Sequence, residues 1–166
     1  MCLGLGMLLS GILLAACGSS SSPQSGSATV HPSTMVALHA DKLPSGDISV
    51  LVDASGRSLY MFLPDHQKSV TCNIVCLRSW PLVYVPAGAK PRVGPGVDAS
   101  LVGTIKADVL ATGSEAVTYN GWPLYTYADD VSPGMTSGQG TDLNGGYWYL
   151  MQTDGTPLVP PGDPTT

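Results

Sequence analysis

The sequence has few charged residues, and positively charged ones are especially scarce. Lys and Arg number seven in 166 residues, the formal net charge is -5, and charged residues make up 11% of the chain, against about 25% in ordinary soluble domains. The sequence has no cluster of basic residues that could bind the phosphates of a nucleic acid, so nucleic acid is not an expected partner. With 20 Gly, 14 Pro and no sustained helical periodicity, the chain is predicted to be all-β with long Gly/Pro-rich loops.

Recognisable catalytic and metal-binding motifs are also missing. The sequence has no Gly-x-Ser-x-Gly elbow, no His-Glu-x-x-His pair and no phosphate-binding loop. The histidines His31, His39 and His66 do not have the spacing of zinc ligands. We therefore expect a protein that is not an enzyme and that holds neither a metal nor another cofactor.

The N-terminus carries a short apolar run without charge. Residues 3–16, LGLGMLLSGILLAA, are too few to cross a bilayer as a helix, which needs about 20, and they are typical of a secretory signal peptide. The positive segment that usually precedes such a run is missing, so we expect the start to lie upstream. The run ends in Leu-Ala-Ala-Cys at Cys17, which resembles the lipobox of bacterial lipoproteins. That resemblance implies a lipoprotein signal peptide over residues 1–16 and a diacylglyceryl group on Cys17.

The residues after Cys17 have the composition of a tether. Residues 17–34 are rich in Ser, with Gly and Pro, and hold almost no bulky apolar side chain, so they are predicted to be flexible. Acyl chains on Cys17 would hold the protein stably at a bilayer. We expect a lipid-anchored protein (palmitate being one such acyl chain) on the extracytoplasmic face of the cell membrane. Its folded part, residues 35–162, would meet an envelope protein or a small ligand, and residues 163–166 would be a disordered tail.

Only two cysteines, Cys72 and Cys76, fall in the part with a folded composition. An even pair in an oxidising compartment is most simply a structural disulfide that closes a small loop. The alternative is thiol redox chemistry or copper handling, because soft thiolates bind Cu(I) and Met61 and His66 lie nearby in the sequence. The βαβ context usual for such a redox motif is missing.

One short pattern, Leu-Tyr-x-aromatic-x-x-Asp, is written twice. The copies are RSLYMFLPD, with Tyr60, Phe62 and Asp65, and WPLYTYADD, with Tyr125, Tyr127 and Asp130. In a strand, alternate residues share a face, so Tyr60 and Phe62 lie opposite Leu59, Met61 and Leu63. Both faces are apolar, which predicts a strand that is buried on both sides.

Each copy sits in a predicted hairpin, followed by a loop and a returning strand that bears a tryptophan. The second hairpin is expected to turn at Asn120–Gly121, and the loop after it is expected over Asp130–Gly146. The strands are expected at Ile48–Asp53, Ser58–Leu63, Trp80–Val85, Leu101–Lys106, Val117–Tyr119, Trp122–Tyr127 and Tyr147–Gln152, with a helical turn around Val70–Leu77. The two repeats, about 47–99 and 100–155, would close on each other as one pseudo-two-fold sandwich or barrel-like domain, because two copies are too few for a solenoid.

These residues resemble the bacterial secreted-repeat family of predicted lipoproteins, which has a Tyr-x-(Phe/Trp/Tyr)-x-x-Asp motif. Both copies fit that motif, and CNIVCLRSWPL at Cys72–Leu82 resembles the first repeat. TYNGWPLYTYADD, with the later GQG and GGYWYL segments up to Leu150, resembles the second. The resemblance covers about residues 47–155. It implies an extracytoplasmic address and a two-repeat architecture but no established activity.

The motif residues allow two interpretations each. Asp65 and Asp130 could bind a cation, or could end their strands by accepting hydrogen bonds from loop N–H groups. A calcium site is the sharper version, because hard cations prefer clustered oxygens; its ligands would be Asp129, Asp130, Asp142 and Asn144. The motif aromatics could line a pocket for an apolar or sugar ligand, although such side chains more often fill a core.

Overall fold

The computed structural model describes residues 37–44 and 46–163. Within them the chain forms ten strands and three 3-10 turns of three residues each, with no α-helix, so the predicted all-β class is confirmed. The strands are β1 (Ala37–Lys42), β2 (Ser49–Val52), β3 (Tyr60–Phe62), β4 (Tyr84–Pro86), β5 (Arg92–Val93), β6 (Val102–Ile105), β7 (Ser114–Tyr119), β8 (Trp122–Pro123), β9 (Thr141–Leu143) and β10 (Gly146–Leu150). No helix in these ranges is long and apolar enough to cross a membrane. The predictions for Cys17, His31 and the tether lie outside the described residues.

The strands form three small sheets. The first has the order β2–β1–β5, the second β3–β10–β9, and the third β4–β7–β6 with β8 also paired to β7. All pairs are antiparallel except β1 with β5, which is parallel. Strand β3, which carries the first motif, thus pairs with β10 from the far end of the chain. The proposed sandwich or barrel and its pseudo-two-fold are finer statements than these pairings test, and they stay predictions.

Two apolar clusters lie on opposite faces of the motif strand. Leu59 and Met61 belong to one cluster, while Tyr60 and Phe62 belong to the other. This division follows from the two-residue period of a strand. The expectation that the strand is buried on both sides is confirmed.

Two hairpins turn at Asn-Gly pairs. Asn120 and Gly121 join β7 to β8 with φ values of 48° and 82°, and Asn144 and Gly145 join β9 to β10 with φ values of 61° and 91°. Positive φ at both central residues is what a two-residue type I′ turn requires, and Asn-Gly adopts it most readily. The first turn was predicted; the second lies in a segment that was read as a plain loop.

The expected strand Trp80–Val85 is wrong at its beginning. Strand β4 begins only at Tyr84, because the 3-10 turn Cys76–Arg78 extends towards Trp80, whose N–H donates to the carbonyl of Cys76 at 3.0 Å. Pro81 then has no N–H to offer a ladder. Trp80 therefore enters the core from a bend and not from a strand.

Candidate functional site

The two motifs meet at their tyrosines. The N–H of Tyr60 donates to the carbonyl of Tyr125 at 2.9 Å, and the N–H of Tyr125 donates to the carbonyl of Tyr60 at 2.9 Å. Such a mutual exchange is the hydrogen-bonded pair of an antiparallel ladder. This pair of hydrogen bonds holds the two copies of the motif side by side at Tyr60 and Tyr125.

The tyrosine hydroxyls cross over to the opposite motif. The hydroxyl of Tyr60 donates to Oδ2 of Asp130 at 2.6 Å, and that of Tyr125 donates to Oδ2 of Asp65 at 2.5 Å. Both tyrosines and Asp65 have no exposed surface, and Asp130 is 2% exposed. Hydrogen bonds to a charged acceptor are short and strong. The tyrosine of each motif is therefore bound firmly to the aspartate of the other motif.

The second carboxylate oxygen of each aspartate holds the loop that follows its own motif. Oδ1 of Asp65 accepts from the N–H of Thr71 at 2.6 Å and from its hydroxyl at 2.8 Å, and the Asp65 carbonyl accepts from the hydroxyl of Ser69. Oδ1 of Asp130 accepts from the N–H of Ser137 at 2.9 Å. Of the two interpretations, the structure gives the aspartates the local hydrogen-bonding role, and adds a longer-range one.

Four aromatic rings form one continuous stack beside these bonds. Phe62 stacks on Trp148 with centroids 4.1 Å apart, Trp148 on Trp80 at 3.9 Å, and Trp80 on Tyr127 at 4.3 Å. The stack therefore alternates between the two predicted repeats. Aromatic pairs contribute about 0.5–1.5 kcal/mol each beyond their buried area.

The motif tyrosines meet the two indoles edge-on. Tyr60 lies 5.4 Å from Trp80 at an interplanar angle of 77°, and Tyr125 lies 5.1 Å from Trp148 at 90°. Gly138 lies against the ring of Trp80, where a Cβ would come within 2.6 Å of Cη2. A side chain at that position would have to displace the indole, so the stack depends on glycine there.

The two indole N–H groups differ. Nε1 of Trp148 donates to the carbonyl of Leu143 at 3.0 Å, whereas Nε1 of Trp80 is buried and has no hydrogen-bond partner among the described residues. The stack is thus symmetrical in its rings but not in its polar contacts.

Burial raises the pKa values of the tyrosines and of Asp65 in this centre. Burial, reinforced by Asp130, raises the pKa of Tyr60 far above its usual value, and burial with the charge of Asp65 does the same for Tyr125. Burial also raises the pKa of Asp65, although the hydrogen bonds from Tyr125 and Thr71 oppose that shift. The tyrosines are donors locked in the neutral form, so they are unsuited to act as nucleophiles or bases.

Tyr127 ends the stack near the surface. Its side chain is half-buried, and partial burial together with a hydrogen bond to Asp129 raises its pKa. Among the six motif residues, it is the one with appreciable exposure. The expectation that the motif aromatics fill a core therefore fits Tyr60, Phe62 and Tyr125 more closely than Tyr127.

Cys72 and Cys76 form a disulfide with their Cα atoms 5.4 Å apart. The predicted disulfide is confirmed. Both residues are buried in the cluster that contains Trp80, and Oδ1 of Asn73 accepts from the N–H groups of Val75 and Cys76. The disulfide and the hydrogen bonds to Asn73 thus both hold this small ring, and the ring fixes the chain just before Trp80.

The remaining candidates are not gathered into a site. Met61 lies in the cluster opposite to that of the cysteines, and His66 is exposed. Within residues 37–44 and 46–163, no group of three His, Cys, Asp or Glu side chains could hold a metal ion. The calcium hypothesis gains no support, since Asp130 is turned inward to Tyr60 and Ser137.

Sequence reasoning missed three contributors to this centre. Thr71 and Ser137, which fix the aspartates, are ordinary loop residues, and the only signal was a hydroxyl residue six or seven positions after each aspartate. Gly138 begins the GQG segment that belongs to the family resemblance, but nothing in that segment indicated its contact with Trp80.

Part of the chain matches a known family. Residues 106–152 match a family model described as a secreted repeat of unknown function, which confirms the resemblance over that segment. The segment contains Tyr125, Asp130 and Trp148, and thus the second half of the aromatic centre. The comparisons with curated proteins and with solved structures give no match.

Proposed function

We propose that this protein is an extracytoplasmic lipoprotein, anchored in the membrane through a lipid on Cys17, with a β domain that is a non-enzymatic binding or envelope-structural module. The observation that carries the proposal is the pair of crossed bonds, Tyr60 to Asp130 and Tyr125 to Asp65. These bonds engage the tyrosine hydroxyls and aspartate carboxylates of the two motifs, which were the candidate functional groups in the sequence.

A catalytic group must come within hydrogen-bond reach of its substrate. The hydroxyls of Tyr60 and Tyr125 are buried and already donate to carboxylates. Asp65 has both oxygens occupied, by Tyr125 and Thr71. These contacts support a centre whose role is to hold the domain together, which leaves binding to the surface.

The address is supported by three independent features. The secreted-repeat match at residues 106–152 is compatible with an extracytoplasmic protein, and a disulfide persists mainly in oxidising compartments. The Leu-Ala-Ala-Cys sequence at Cys17, followed by a Ser-rich segment, supports the lipid anchor.

The anchor can be tested by fractionation with a matched cysteine control. The full chain and its Cys17→Ala and Cys2→Ala variants would be expressed in a bacterial host that is fed labelled palmitate. We expect label and membrane association for the full chain and for Cys2→Ala, and loss of both for Cys17→Ala. Equal membrane association of Cys17→Ala would refute the anchor.

The second candidate is an envelope thiol-redox or copper-handling protein that uses Cys72 and Cys76. It needs reduced, reachable thiolates to bind Cu(I), whereas both residues are buried and bonded to each other. Thiol titration of the native protein under mild reductant separates the candidates. An unreactive pair supports the structural role, while two titratable thiols and Cu(I) binding that Cys72→Ser removes would favour the second.

A further inference from the structure

Strand β6 (Val102–Ile105) has one edge without a partner in the described residues. It pairs only with β7. The N–H of Asn120 donates to the carbonyl of Leu101 just before the strand. Because bonded and non-bonded pairs alternate in an antiparallel ladder, Gly103 and Ile105 also direct their backbone groups towards β7.

The backbone groups of Val102 and Thr104 therefore point away from β7. The N–H of Val102 is taken up by the carbonyl of Ala99, but the carbonyl of Val102 and both backbone groups of Thr104 have no backbone partner among residues 37–44 and 46–163. A row of unpaired groups of this kind is a template on which an extended chain can add as a further strand.

Two grooves are lined by this edge. One, of about 570 Å³, is lined by Lys68 as well as by β6; the other, of about 370 Å³, is lined by Lys90. Both include Val102, Gly103 and Thr104. A strand added at this edge would run along residues that line both grooves, and its successive side chains would point to opposite faces.

Lys68 is fixed beside the edge by contacts of its own backbone. Its N–H donates to the carbonyl of Gly121 at 2.8 Å, and Nε2 of the preceding Gln67 donates to the carbonyl of Asn120 at 2.8 Å. Lys68 has a φ of 73°, a conformation that a non-glycine residue adopts only where its surroundings impose it. The hairpin turn of β7 and β8 thus holds Lys68 in place.

The charged side chains that line the two grooves are lysines, Lys68 in one and Lys90 in the other. Lys68, Lys90 and Lys106 are exposed, and no ion pair engages them in the described part of the chain. Residues 66–97 contain four Lys and Arg residues and no acid. Acids lie outside the grooves: Asp98 and Asp108 precede and follow β6 in the sequence, and the carboxylate of Glu115 accepts from the hydroxyl of Thr104 at 2.7 Å.

We propose that the β6 edge binds an extended acidic segment of another protein, which adds as a strand along the residues that line both grooves. The inference rests on the proposed role as a binding module and names its partner chemistry. The lysines attract acidic side chains, and they oppose pairing with the same edge of a second copy, where lysine would face lysine.

The test measures binding of a short labelled peptide of Glu and Thr to the purified full chain by fluorescence anisotropy. Two control peptides are used: one with Lys in place of Glu, and one with alternate amides N-methylated so that it cannot pair as a strand. We expect saturable binding of the acidic peptide alone, which weakens as salt is raised because exposed charges are screened.

Two pairs of variants separate strand addition from simple attraction. Thr104→Pro removes the outward N–H, and proline is tolerated at such an edge; its control, Thr104→Val, keeps the N–H and loses only the hydroxyl. Lys68→Glu reverses a charge that lines a groove; its control, Lys42→Glu, reverses a charge on β1 that lines neither groove. We expect Thr104→Pro and Lys68→Glu each to weaken binding by about fivefold or more, and the controls to bind as the unaltered chain does.

Three results would overturn the proposal: no binding of the acidic peptide, equal binding of the N-methylated or Lys-containing peptide, or Thr104→Pro with unchanged affinity. A change in oligomeric state caused by Thr104→Pro in the absence of peptide would make a second copy the occupant and would overturn it too. Peptide binding does not depend on the lipid, so a failed anchor test and a failed peptide test remain distinguishable.

Discussion

The hydroxyl of Tyr60 donates a 2.6 Å hydrogen bond to Asp130, seventy positions further along the chain. Tyr125 returns the contact to Asp65 over sixty positions. Each motif therefore supplies a hydrogen-bond donor, its tyrosine, and an acceptor, its aspartate, to the other motif. Neither half of the sequence would have its buried aspartate satisfied without the other half, so we expect the two halves to unfold together.

Removal of one crossed hydroxyl should destabilise the whole domain. Tyr125→Phe leaves Oδ2 of the buried Asp65 without its donor, which should lower the free energy of unfolding by about 1–3 kcal/mol. Urea unfolding would measure the loss. Tyr84→Phe is the control, since Tyr84 is 54% exposed and its change should stay within about 0.5 kcal/mol. A cost for Tyr125→Phe no larger than that of the control would contradict the role given to the bond.

Stability should fall in alkaline solution because of the same tyrosines. The pKa values of Tyr60 and Tyr125 are raised in the folded state, while an unfolded tyrosine titrates near pH 10. Their contribution is complete below about pH 10 and is lost above it, because the unfolded chain then releases protons that the native chain keeps. Each should lower the free energy of unfolding by about 1.4 kcal/mol per pH unit above that point.

Urea unfolding at a series of pH values, with tyrosinate absorbance followed in parallel, checks this slope. The double variant Tyr60→Phe, Tyr125→Phe should lose about 2.7 kcal/mol per pH unit of the dependence. If the unaltered protein and the double variant show the same slope, the two hydroxyls are not protected from ionisation.

The stacked indoles should give a spectroscopic signal of their own. Trp80 and Trp148 are parallel, with an interplanar angle of 0° and centroids 3.9 Å apart, a geometry in which their transitions couple. We expect a paired band in the ultraviolet circular dichroism spectrum that either Trp80→Phe or Trp148→Phe abolishes. Trp122→Phe serves as the control, because Trp122 packs against the other apolar cluster. Loss of the band in Trp122→Phe alone would contradict the assignment.

Opening of the disulfide should cost stability without abolishing the fold. The ring closed by Cys72 and Cys76 is small, so its loss should lower the free energy of unfolding by about 2 kcal/mol on the loop-entropy estimate. The Cys72→Ala, Cys76→Ala double variant tests this by urea unfolding. Unchanged stability would mean that the contacts of Asn73 and Trp80 hold the loop without the bond.

Short-range patterns in the sequence led to several correct predictions. The apolar faces of the first motif strand, the Asn120–Gly121 turn and the Cys72–Cys76 disulfide all follow from a residue's neighbours within a few positions. Strands β5 and β9 were missed, because short edge strands are held by what they pair with more than by their own composition. Strand β1 was missed although it is the six-residue centre of its sheet, because its sequence ALHADK contains no β-branched residue. The start of the strand at Trp80 was wrong for a related reason, since the turn at Cys76 competed for its backbone.

The sequence by itself determined the all-β class, the burial of both faces of the first motif strand and the repetition of one Tyr-aromatic-Asp pattern, because periodicity and turn chemistry are local. Only the tertiary structure decided that Tyr60 bonds Asp130 and not Asp65, and that aromatic rings from the two repeats alternate in one stack. Strand parity fixes the face on which a side chain lies, but its partner depends on which distant strand is brought against that face. Tertiary structure likewise decided that β6 pairs with β7 and has no second partner strand among residues 37–44 and 46–163.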